Sequence, residues 1–463
     1  MHVSSRGKIS FLALALLIIS AIDSNRNLPS GAIFGAPLIF FFLFSAVFFL
    51  FPSALVAAEL SAAFPEEGGI YHWVRSAFGE KIGMLAIWLQ WINTVVWFPT
   101  ILSFIAGTLT YLFNPALMDN KIYMISVIAA IFWALTLANL FGITVSARIN
   151  TIFASIGTVF PMLFLIVLAM IWAFGGHPFQ IPITFDAIFP SLSKFDTWTA
   201  LEAVMGSFLG MELSGVHINN VPHPQKTFPK ALLLSSLYIL VTMLFGSLAI
   251  AVVLPADKIN LAGGLMQVFA NFFDVFHLKA LIPLMSFLIV VGSVGGMINW
   301  LISPAKGLLH ASQYGFLPPY FTKTNKQGVA SRVLIAQAVL VTIVCVALLL
   351  LPTVNAFYWF LTALSNCLYM LMYILMFLAV YRLRLKNLQG AFKIPGGKIG
   401  LGFVSLLGLI GSALTIFFGF VPPDHVHVGS SLRYILMIAI GNIVLILPIL
   451  FFIGYKKYRT RDG

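Results

Sequence analysis

The chain has 463 residues, of which 60% are apolar and 9% are charged, and its mean hydropathy is +1.01. A soluble domain has about 45–50% apolar residues, so this composition excludes a water-soluble enzyme. The net charge of +12 would suit a nucleic-acid binder, so the positions of the 26 basic residues decide what that charge means. The two cysteines, Cys345 and Cys367, lie inside apolar runs and indicate no disulfide framework.

Apolar stretches long enough to cross a bilayer recur along the whole sequence. About 20 apolar residues at a rise of 1.5 Å each cross a hydrocarbon core of about 30 Å. The first stretch follows Arg6 and Lys8 like a signal peptide, but apolar spans continue to Phe452, so we interpret it as a membrane helix. The sequence predicts an all-α membrane protein, one polytopic domain over 1–463 with twelve transmembrane helices near 8–34, 37–63, 84–113, 121–142, 149–174, 197–219, 230–254, 280–311, 331–351, 355–381, 400–421 and 432–454.

The basic residues lie mostly on one side of the predicted bundle. The opposite side has only Lys121, Lys194, Lys258, Lys279 and Arg433, and Arg26 alone lies deep inside a span. By the positive-inside rule, both termini are cytoplasmic. The positive charge is therefore a topology signal, and we expect a lipid bilayer but no nucleic acid as a partner.

A polar cluster interrupts the first predicted span at residues 21–29 (AIDSNRNLP). Pro29 removes a backbone donor and clashes with the preceding turn, so the helix is predicted to break here. Asp23 and Arg26, three residues apart, can neutralise each other. Alternatively, Asp23 contacts a substrate ammonium group or Arg26 contacts a side-chain carboxylate.

The sixth predicted span contains three glycines and Glu212 within residues 206–215 (GSFLGMELSG), and we expect it to unwind there. The glycines alone could serve close helix packing. We interpret Glu212 as a brace for the unwound stretch, with ligand contact as the alternative. His217 is interpreted as a hydrogen-bonded structural residue, with a pH sensor as the alternative.

Interrupted helices in positions one and six are typical of two inverted five-helix repeats around a central substrate site. A half-helix N-terminus offers N–H groups to an anion, and a C-terminal end offers carbonyls to a cation. An amino acid zwitterion carries both charges. No G-x-x-x-x-G-K-[ST] motif occurs in the sequence, so a gradient is the expected source of energy.

Several segments resemble the amino acid–polyamine–organocation (APC) superfamily, and within it the bacterial glutamate/GABA antiporter group. They are SNRNLPSGAIFG (24–35), AELSAAFPEEGGIYHWVRSAFG (58–79), AIWLQWINTVVWFPTILSFIA (86–106), GMELSGVHINNVPHPQKTFPKA (210–231), SPAKGLLHASQYGFLPP (303–319) and FKIPGG (392–397). The resemblance implies a leucine-transporter-type fold, with helices 1–5 (about 8–174) and 6–10 (about 197–381) as inverted repeats. Helices 11–12 (about 400–454) are then peripheral, and the location is a bacterial inner membrane.

The resemblance also implies which residues contact the substrate. The substrate carboxylate is expected on the first interruption and its amine on carbonyls of the sixth, with Trp300 as a wall of the site. Packing near a membrane surface is the alternative for Trp300. The substrate-binding residues predicted in this way are Ile22, Asp23, Ser24, Asn25, Arg26, Phe208, Leu209, Gly210, Trp300, Tyr369 and Tyr373, and those predicted for gating or structural support are Glu212 and His217.

Two departures from the family pattern limit what the resemblance implies. The lysine that sodium-independent relatives carry on the fifth span is replaced by Gly157. The identity of the coupling ion is therefore open, and a proton is one candidate. On the tenth span, Cys367 and Leu371 stand where the glutamate/GABA exchangers have tyrosines. The nearest candidates are Tyr369 and Tyr373, which share one helical face, and this shift weakens the case for glutamate itself.

We expect a secondary active transporter, an amino acid/amine antiporter working by alternating access, without cofactor, metal site or catalytic residue. The alternatives are a proton- or sodium-coupled symporter and, from a different class, a channel or substrate sensor. A membrane enzyme is disfavoured because the histidines are scattered and no H-E-x-x-H or G-x-S-x-G motif occurs. The phenylalanines of 40–51 are interpreted as lipid-facing, and residues 263–275 as a short surface helix.

Overall fold

The structure is a computed structural model that describes residues 10–64, 69–141, 152–153, 155–191, 193–213, 221, 223–312, 314–390 and 392–459. These residues are all-helical and contain no strand. The helices are α1 Phe11–Ile22, α2 Leu28–Ala32, α3 Leu38–Ser45, α4 Phe51–Ala63, α5 Gly69–Phe78, α6 Glu80–Thr110, α7 Lys121–Leu140, α8 Phe160–Phe174, α9 Phe185–Ile188, α10 Ala200–Gly206, α11 Pro224–Val253, α12 Gly264–Val275, α13 Ile282–Ser312, α14 Ser331–Val346, α15 Val354–Leu385, α16 Gly397–Gly419, α17 Ser431–Ile446 and α18 Pro448–Arg459.

Eleven helical segments in the described ranges are long and apolar enough to cross a membrane, and they coincide with eleven of the predicted spans. The exception is the predicted sixth span, 197–219. Its α-helix, α10, covers only Ala200–Gly206, and residues 214–220 lie outside the described part. The long apolar helices identify an integral membrane protein.

Two helices form the centre of the bundle. Of the most apolar 18-residue stretch of each helix, 89% of the residues are buried in α6 and 78% in α15. In the segment Ser431–Lys456 the buried share is only 17%. α15 and α13 both pack against α6. Large apolar side chains such as Leu432, Ile443 and Phe451 are exposed on the outer helices, as expected for surfaces that face lipid.

The first interruption begins before Pro29. α1 ends at Ile22, Asp23 and Ser24 have extended backbones, and a 3-10 turn over Asn25–Asn27 leads into α2. Pro29 lies in the first turn of α2, where its missing N–H has no helical partner to lose. The prediction that the helix breaks in this cluster agrees with the structure. The extended residues are Asp23 and Ser24, however, and Pro29, the expected cause of the break, lies in the first turn of the next helix.

The second interruption follows Gly206, where α10 ends. Residues 207–210 form turns and residues 211–213 a short 3-10 turn. Gly210 has a φ of 116°, a conformation that L side chains rarely adopt, and a Cβ there would lie 3.0 Å from the Trp300 ring. Glycine is therefore required at this position for both the turn and the close approach of Trp300.

The prediction that the phenylalanines of 40–51 face lipid is wrong for part of the run. Phe41, Phe42 and Phe49 are at most 1% exposed, because other helices cover this part of the chain. The prediction of a short surface helix over 263–275 agrees with the structure, in which α12 buries a face that includes Phe269 and Phe272 and exposes Asn271 and Asp274. Amphipathic helices bury one face, and apolar runs in a bundle face protein as well as lipid.

Candidate functional site

Both interruptions open onto one cavity between the helices. The fifth span, α6, α13 and α15 complete its wall. The lining residues are Ser20, Ala21, Ile22, Asp23, Ser24, Arg26, Asn27, Asn93, Trp97, Ile101, Thr158, Gly206, Ser207, Leu209, Gly292, Ser293, Gly296, Trp300, Ser365, Asn366 and Tyr369.

The cavity brings together only part of the predicted set. The predicted residues that line it are Ile22, Asp23, Ser24, Arg26, Leu209, Trp300 and Tyr369. The predicted residues that lie behind its wall are Asn25, Phe208, Gly210, Glu212 and Tyr373. His217 lies outside the described residues.

Asp23 is buried, with 3% of its surface exposed, and lies at the break itself. Its Oδ2 accepts a hydrogen bond of 3.1 Å from the Thr242 hydroxyl on α11. Its Oδ1 has no hydrogen-bond partner in the described structure. Asp23 and Arg26 do not form an ion pair, which argues against the alternative that they neutralise each other.

Arg26 is fixed by the two central helices. Its Nη1 donates to Thr100 Oγ1 of α6 at 2.9 Å and to the Tyr358 hydroxyl of α15 at 3.3 Å. Its guanidinium carbon lies 5.1 Å from the centre of the Trp97 ring, within cation–π range. Tyr358 in turn donates to the Arg26 carbonyl at 2.9 Å. These contacts hold a positive charge at the cavity wall.

Backbone groups of both signs border the cavity. At the first interruption, the Asn27 N–H donates to the Ser24 carbonyl at 3.0 Å and makes the first hydrogen bond of that turn. The N–H groups of residues 24–26 therefore have no partner within the turn. At the second, the Phe208 N–H donates to Met205 O and the Leu213 N–H to Gly210 O. The carbonyls of residues 206–209 lie between these acceptors. Such groups can bind an anion and a cation, respectively.

Trp300 joins the two interruptions. Its Nε1 donates to the Ala21 carbonyl at 3.0 Å, and its ring lies against Gly210. The ring centre is 5.2 Å from that of Trp97 and 6.1 Å from that of Tyr369. Only 7% of Trp300 is exposed, so this tryptophan is an internal wall and does not face lipid.

Glu212 is held by two tyrosines and a glutamine. Its Oε1 accepts hydrogen bonds from Tyr369 and from Gln90 Nε2, the latter at 3.0 Å, and its Oε2 accepts one from Tyr373. The Tyr373 hydroxyl also accepts the Gly210 N–H at 3.0 Å. This network ties the unwound stretch to α6 and α15, which is the geometry of a brace.

Asn25 and Phe208 support the interruptions from behind. Asn25 Nδ2 donates to the Gly157 carbonyl at 3.1 Å, and Phe208 packs edge-on against Phe42 with ring centres 5.9 Å apart. A Cβ on Gly157 would overlap the backbone of Gly292 on α13. The fifth span therefore has no room for a lysine at this position.

Three polar residues on the α6 and α15 side of the cavity are not among the predicted site residues. Asn93, Ser365 and Asn366 line the wall, and Ser365 donates a hydrogen bond to Asn93 Oδ1. Asn366 Nδ2 donates to Glu202 Oε1 at 2.5 Å. A carboxylate inside a membrane span is a functional candidate by default, and that signal at Glu202 was available in the sequence. The described residues offer no group of three or more His, Cys, Asp or Glu side chains that could hold a metal ion.

Comparisons with known proteins identify the family of this chain. The profile of the family described as amino acid permease matches residues 9–445. An uncharacterized transporter of Legionella pneumophila is 38% identical over 445 residues, 95% of each chain. A glutamate/gamma-aminobutyrate antiporter of Lactococcus lactis is 29% identical over 98% of this chain and 91% of its own length.

A second protein of Lactococcus lactis, named "probable agmatine/putrescine antiporter", is 23% identical over 96% of this chain and 94% of its own length. The family match covers far more than half of the sequence, and the relatives are aligned over almost their full lengths. Their names describe transporters and not enzymes. The chain therefore belongs to the amino acid permease family of the APC superfamily, and it resembles the glutamate/GABA antiporter group.

Proposed function

We propose that this protein is a secondary active antiporter that exchanges one amino acid, or its decarboxylated amine, for another by alternating access. The observation that carries this proposal is the single cavity onto which two interrupted helices open. Non-helical backbone is tolerated at membrane depth only where protein or a watered cavity satisfies it. Two relatives from Lactococcus lactis are named as antiporters, one for glutamate and gamma-aminobutyrate and one, as probable, for agmatine and putrescine. These names support exchange.

In this proposal the protein has twelve transmembrane helices in one polytopic domain, 1–463. α10 and the turn that follows it belong to the sixth helix, and helices 1–5 and 6–10 form two inverted repeats. The distribution of Lys and Arg supports cytoplasmic termini in a bacterial inner membrane. Alternating access then consists of one repeat rocking against the other around the cavity.

The substrate lies between the two interruptions. Its carboxylate contacts the N–H groups of residues 24–26, and its amine contacts the carbonyls of residues 206–209. The unpartnered Oδ1 of Asp23 offers a second acceptor for an ammonium group, and Arg26 attracts an anionic side chain. Trp300 and Tyr369 cover the substrate from α13 and α15.

Counterflow in proteoliposomes tests this function. Purified protein is reconstituted in vesicles loaded with one unlabelled amino acid or amine, and uptake of the same labelled compound is followed for a panel of twenty amino acids and common amines. We expect uptake only with internal substrate, at carrier rates and with saturation. Vesicles without protein and vesicles without internal substrate are the controls.

Three outcomes would contradict exchange. Net uptake into empty vesicles that depends on a proton or sodium gradient would identify a symporter. Uptake without saturation at rates above those of carriers would identify a channel. Saturable binding without any transport of the panel would identify a sensor.

A further inference from the structure

Glu202 is a fully buried carboxylate that the proposed substrate site does not use. It lies on α10, one turn before Gly206, and 0% of its surface is exposed. Its Oε1 accepts the hydrogen bond from Asn366, and Asn366 Nδ2 also donates to the Glu202 carbonyl at 3.2 Å. Its Oε2 has no partner within the described part of the chain, and no ion pair there includes Glu202.

Asn366 connects this carboxylate to the cavity. Its side chain lines the cavity on one side and contacts Glu202 on the other. A Cβ on Gly206 would overlap the Asn366 amide, so only glycine at the end of α10 lets Asn366 reach Glu202. Glu202 is thus separated from the substrate by one amide group.

The groups around Glu202 leave its charge without a paired cation. Arg26 attracts the carboxylate from the first interruption, but its guanidinium donates to Thr100 and Tyr358. α2 and α3 have no titratable side chain. The one titratable side chain of α16, Lys398, lies in the exposed first turn of that helix. The titratable groups that interact with Glu202 are Arg26, Tyr358, Cys367 and Tyr434, and the turn before α10 adds Asp196. An ionised carboxylate with one unpartnered oxygen is much more costly to bury than its neutral form.

We propose that Glu202 binds the proton that is coupled to transport, and that Asn366 transmits its protonation state to the substrate; this rests on the proposed transport function. Ionised Glu202 accepts from Asn366 Nδ2. Protonated Glu202 donates its O–H to Asn366 Oδ1 after the amide turns over, which directs Nδ2 into the cavity. Protonation therefore changes Asn366 from an acceptor into a donor on the substrate side.

Proteoliposomes that contain a pH-sensitive dye test this inference. The vesicles contain one substrate and a different substrate is added outside, because exchange of identical substrates carries as many protons in as out. For the wild type we expect proton movement that depends on this exchange, together with counterflow that changes with pH. Glu202→Gln is permanently neutral, so its substrate-dependent proton movement falls by about tenfold or more. Its counterflow at equal pH on both sides should no longer change with pH, because Asn366 cannot respond to protonation of Glu202.

Asp424→Asn is the matched control. Asp424 and Asp196 share a hydrogen bond outside the membrane spans, which lowers the pKa of Asp196 and raises the pKa of Asp424. This pair is a second possible source of pH dependence. Asp424→Asn should keep substrate-dependent proton movement, and its loss in this variant instead would overturn the assignment to Glu202.

Carbodiimide labelling provides a measurement that needs neither transport nor a folded Glu202→Gln protein. An apolar carbodiimide reacts with protonated carboxyl groups, and mass spectrometry locates the adduct in the wild-type protein. We expect an adduct on Glu202 that decreases as the pH rises, and Glu202→Asp should keep both labelling and coupling. Absence of the adduct at every pH, or unchanged proton movement in Glu202→Gln, would overturn the proton site. Absence of counterflow for the whole panel would instead refute the transport function.

Discussion

Two charged residues of the first interruption are neighbours in sequence, yet their partners come from different helices. Asp23 accepts a hydrogen bond from Thr242 on α11, whereas Arg26 donates to α6 and α15. Because they do not pair, the Asp23 carboxyl group and the Arg26 guanidinium both remain available at the cavity wall. A substrate that carries both an ammonium group and a carboxylate can contact Asp23 with the first and Arg26 with the second.

Replacement of Asp23 tests its contact with a substrate ammonium group. We expect Asp23→Asn to weaken binding of amine-bearing substrates by about tenfold or more, because it removes a charge-assisted acceptor at the cavity wall. Equilibrium binding of a labelled substrate to the purified protein measures this. Thr242→Val, which removes the hydrogen bond but keeps the carboxylate, should have a smaller effect. Unchanged affinity in Asp23→Asn would assign Asp23 to a structural role.

Glu59 has a structural role at the end of α4. Its Oε2 lies 2.6 Å from Arg384 Nη2 on α15 and accepts the Ile394 N–H at 2.7 Å, and its side chain is 1% exposed. Removal of one charge from a buried pair leaves the other uncompensated. We expect Glu59→Gln to lower the free energy of unfolding by about 3 kcal/mol.

Thermal unfolding in detergent measures this loss of stability. Glu80→Gln is the matched control, because Glu80 is 40% exposed in its ion pairs with Arg75 and Lys456, and its loss should cost less stability than that of Glu59. Equal melting temperatures for Glu59→Gln and the wild type would show that the ion pair does not stabilise the fold.

At the level of helices, the fifth span and α13 approach each other closely. Gly157 and Gly292 face each other so closely that a Cβ on either would overlap the backbone of the other. Asn25 reaches the Gly157 carbonyl from the first interruption. Small residues allow membrane helices to approach in this way, and here the approach also positions the break.

We expect Gly157→Ala to destabilise the protein by about 1–3 kcal/mol and to impair substrate binding, because the fifth span must move away from α13 and takes the Asn25 contact with it. Gly454→Ala is the control, because a Cβ on this helical glycine has no neighbour within 4 Å. Its effect should be neutral or slightly stabilising. Melting temperature and substrate affinity are measured for both variants. A wild-type affinity in Gly157→Ala would separate this helix contact from the site.

Local sequence patterns predicted the membrane helices and both interruptions, because weak helix formers such as Asp23, Ser24 and the glycines at 206 and 210 disfavour a continuous helix. It could not predict contacts between distant residues. The hydrogen bond from Arg26 to Tyr358 joins positions 332 residues apart, and Phe42 meets Phe208 only through folding. Local sequence marks Glu202 as a carboxylate within a span, but its partner, Asn366, is 164 residues away and is known only from the structure.

At the scale of the whole molecule, charge and burial support one orientation. The long, buried helices α6 and α15 cross the centre, the outer helices expose apolar side chains, and basic residues concentrate in the loops of one side. Cys345 and Cys367 are at most 1% exposed. A membrane-impermeant maleimide should therefore react very little with the unmodified protein, which makes introduced cysteines informative.

Two matched substitutions test the orientation. Lys258 and Lys326 are both exposed in loops, and the sequence places Lys258 outside and Lys326 in the cytoplasm. We expect Lys258→Cys to be labelled in intact cells, and Lys326→Cys to be labelled only after the membrane is permeabilised. The reverse pattern would invert the proposed orientation in the membrane, whereas labelling of both in intact cells would contradict the single predicted span, 280–311, that separates these loops.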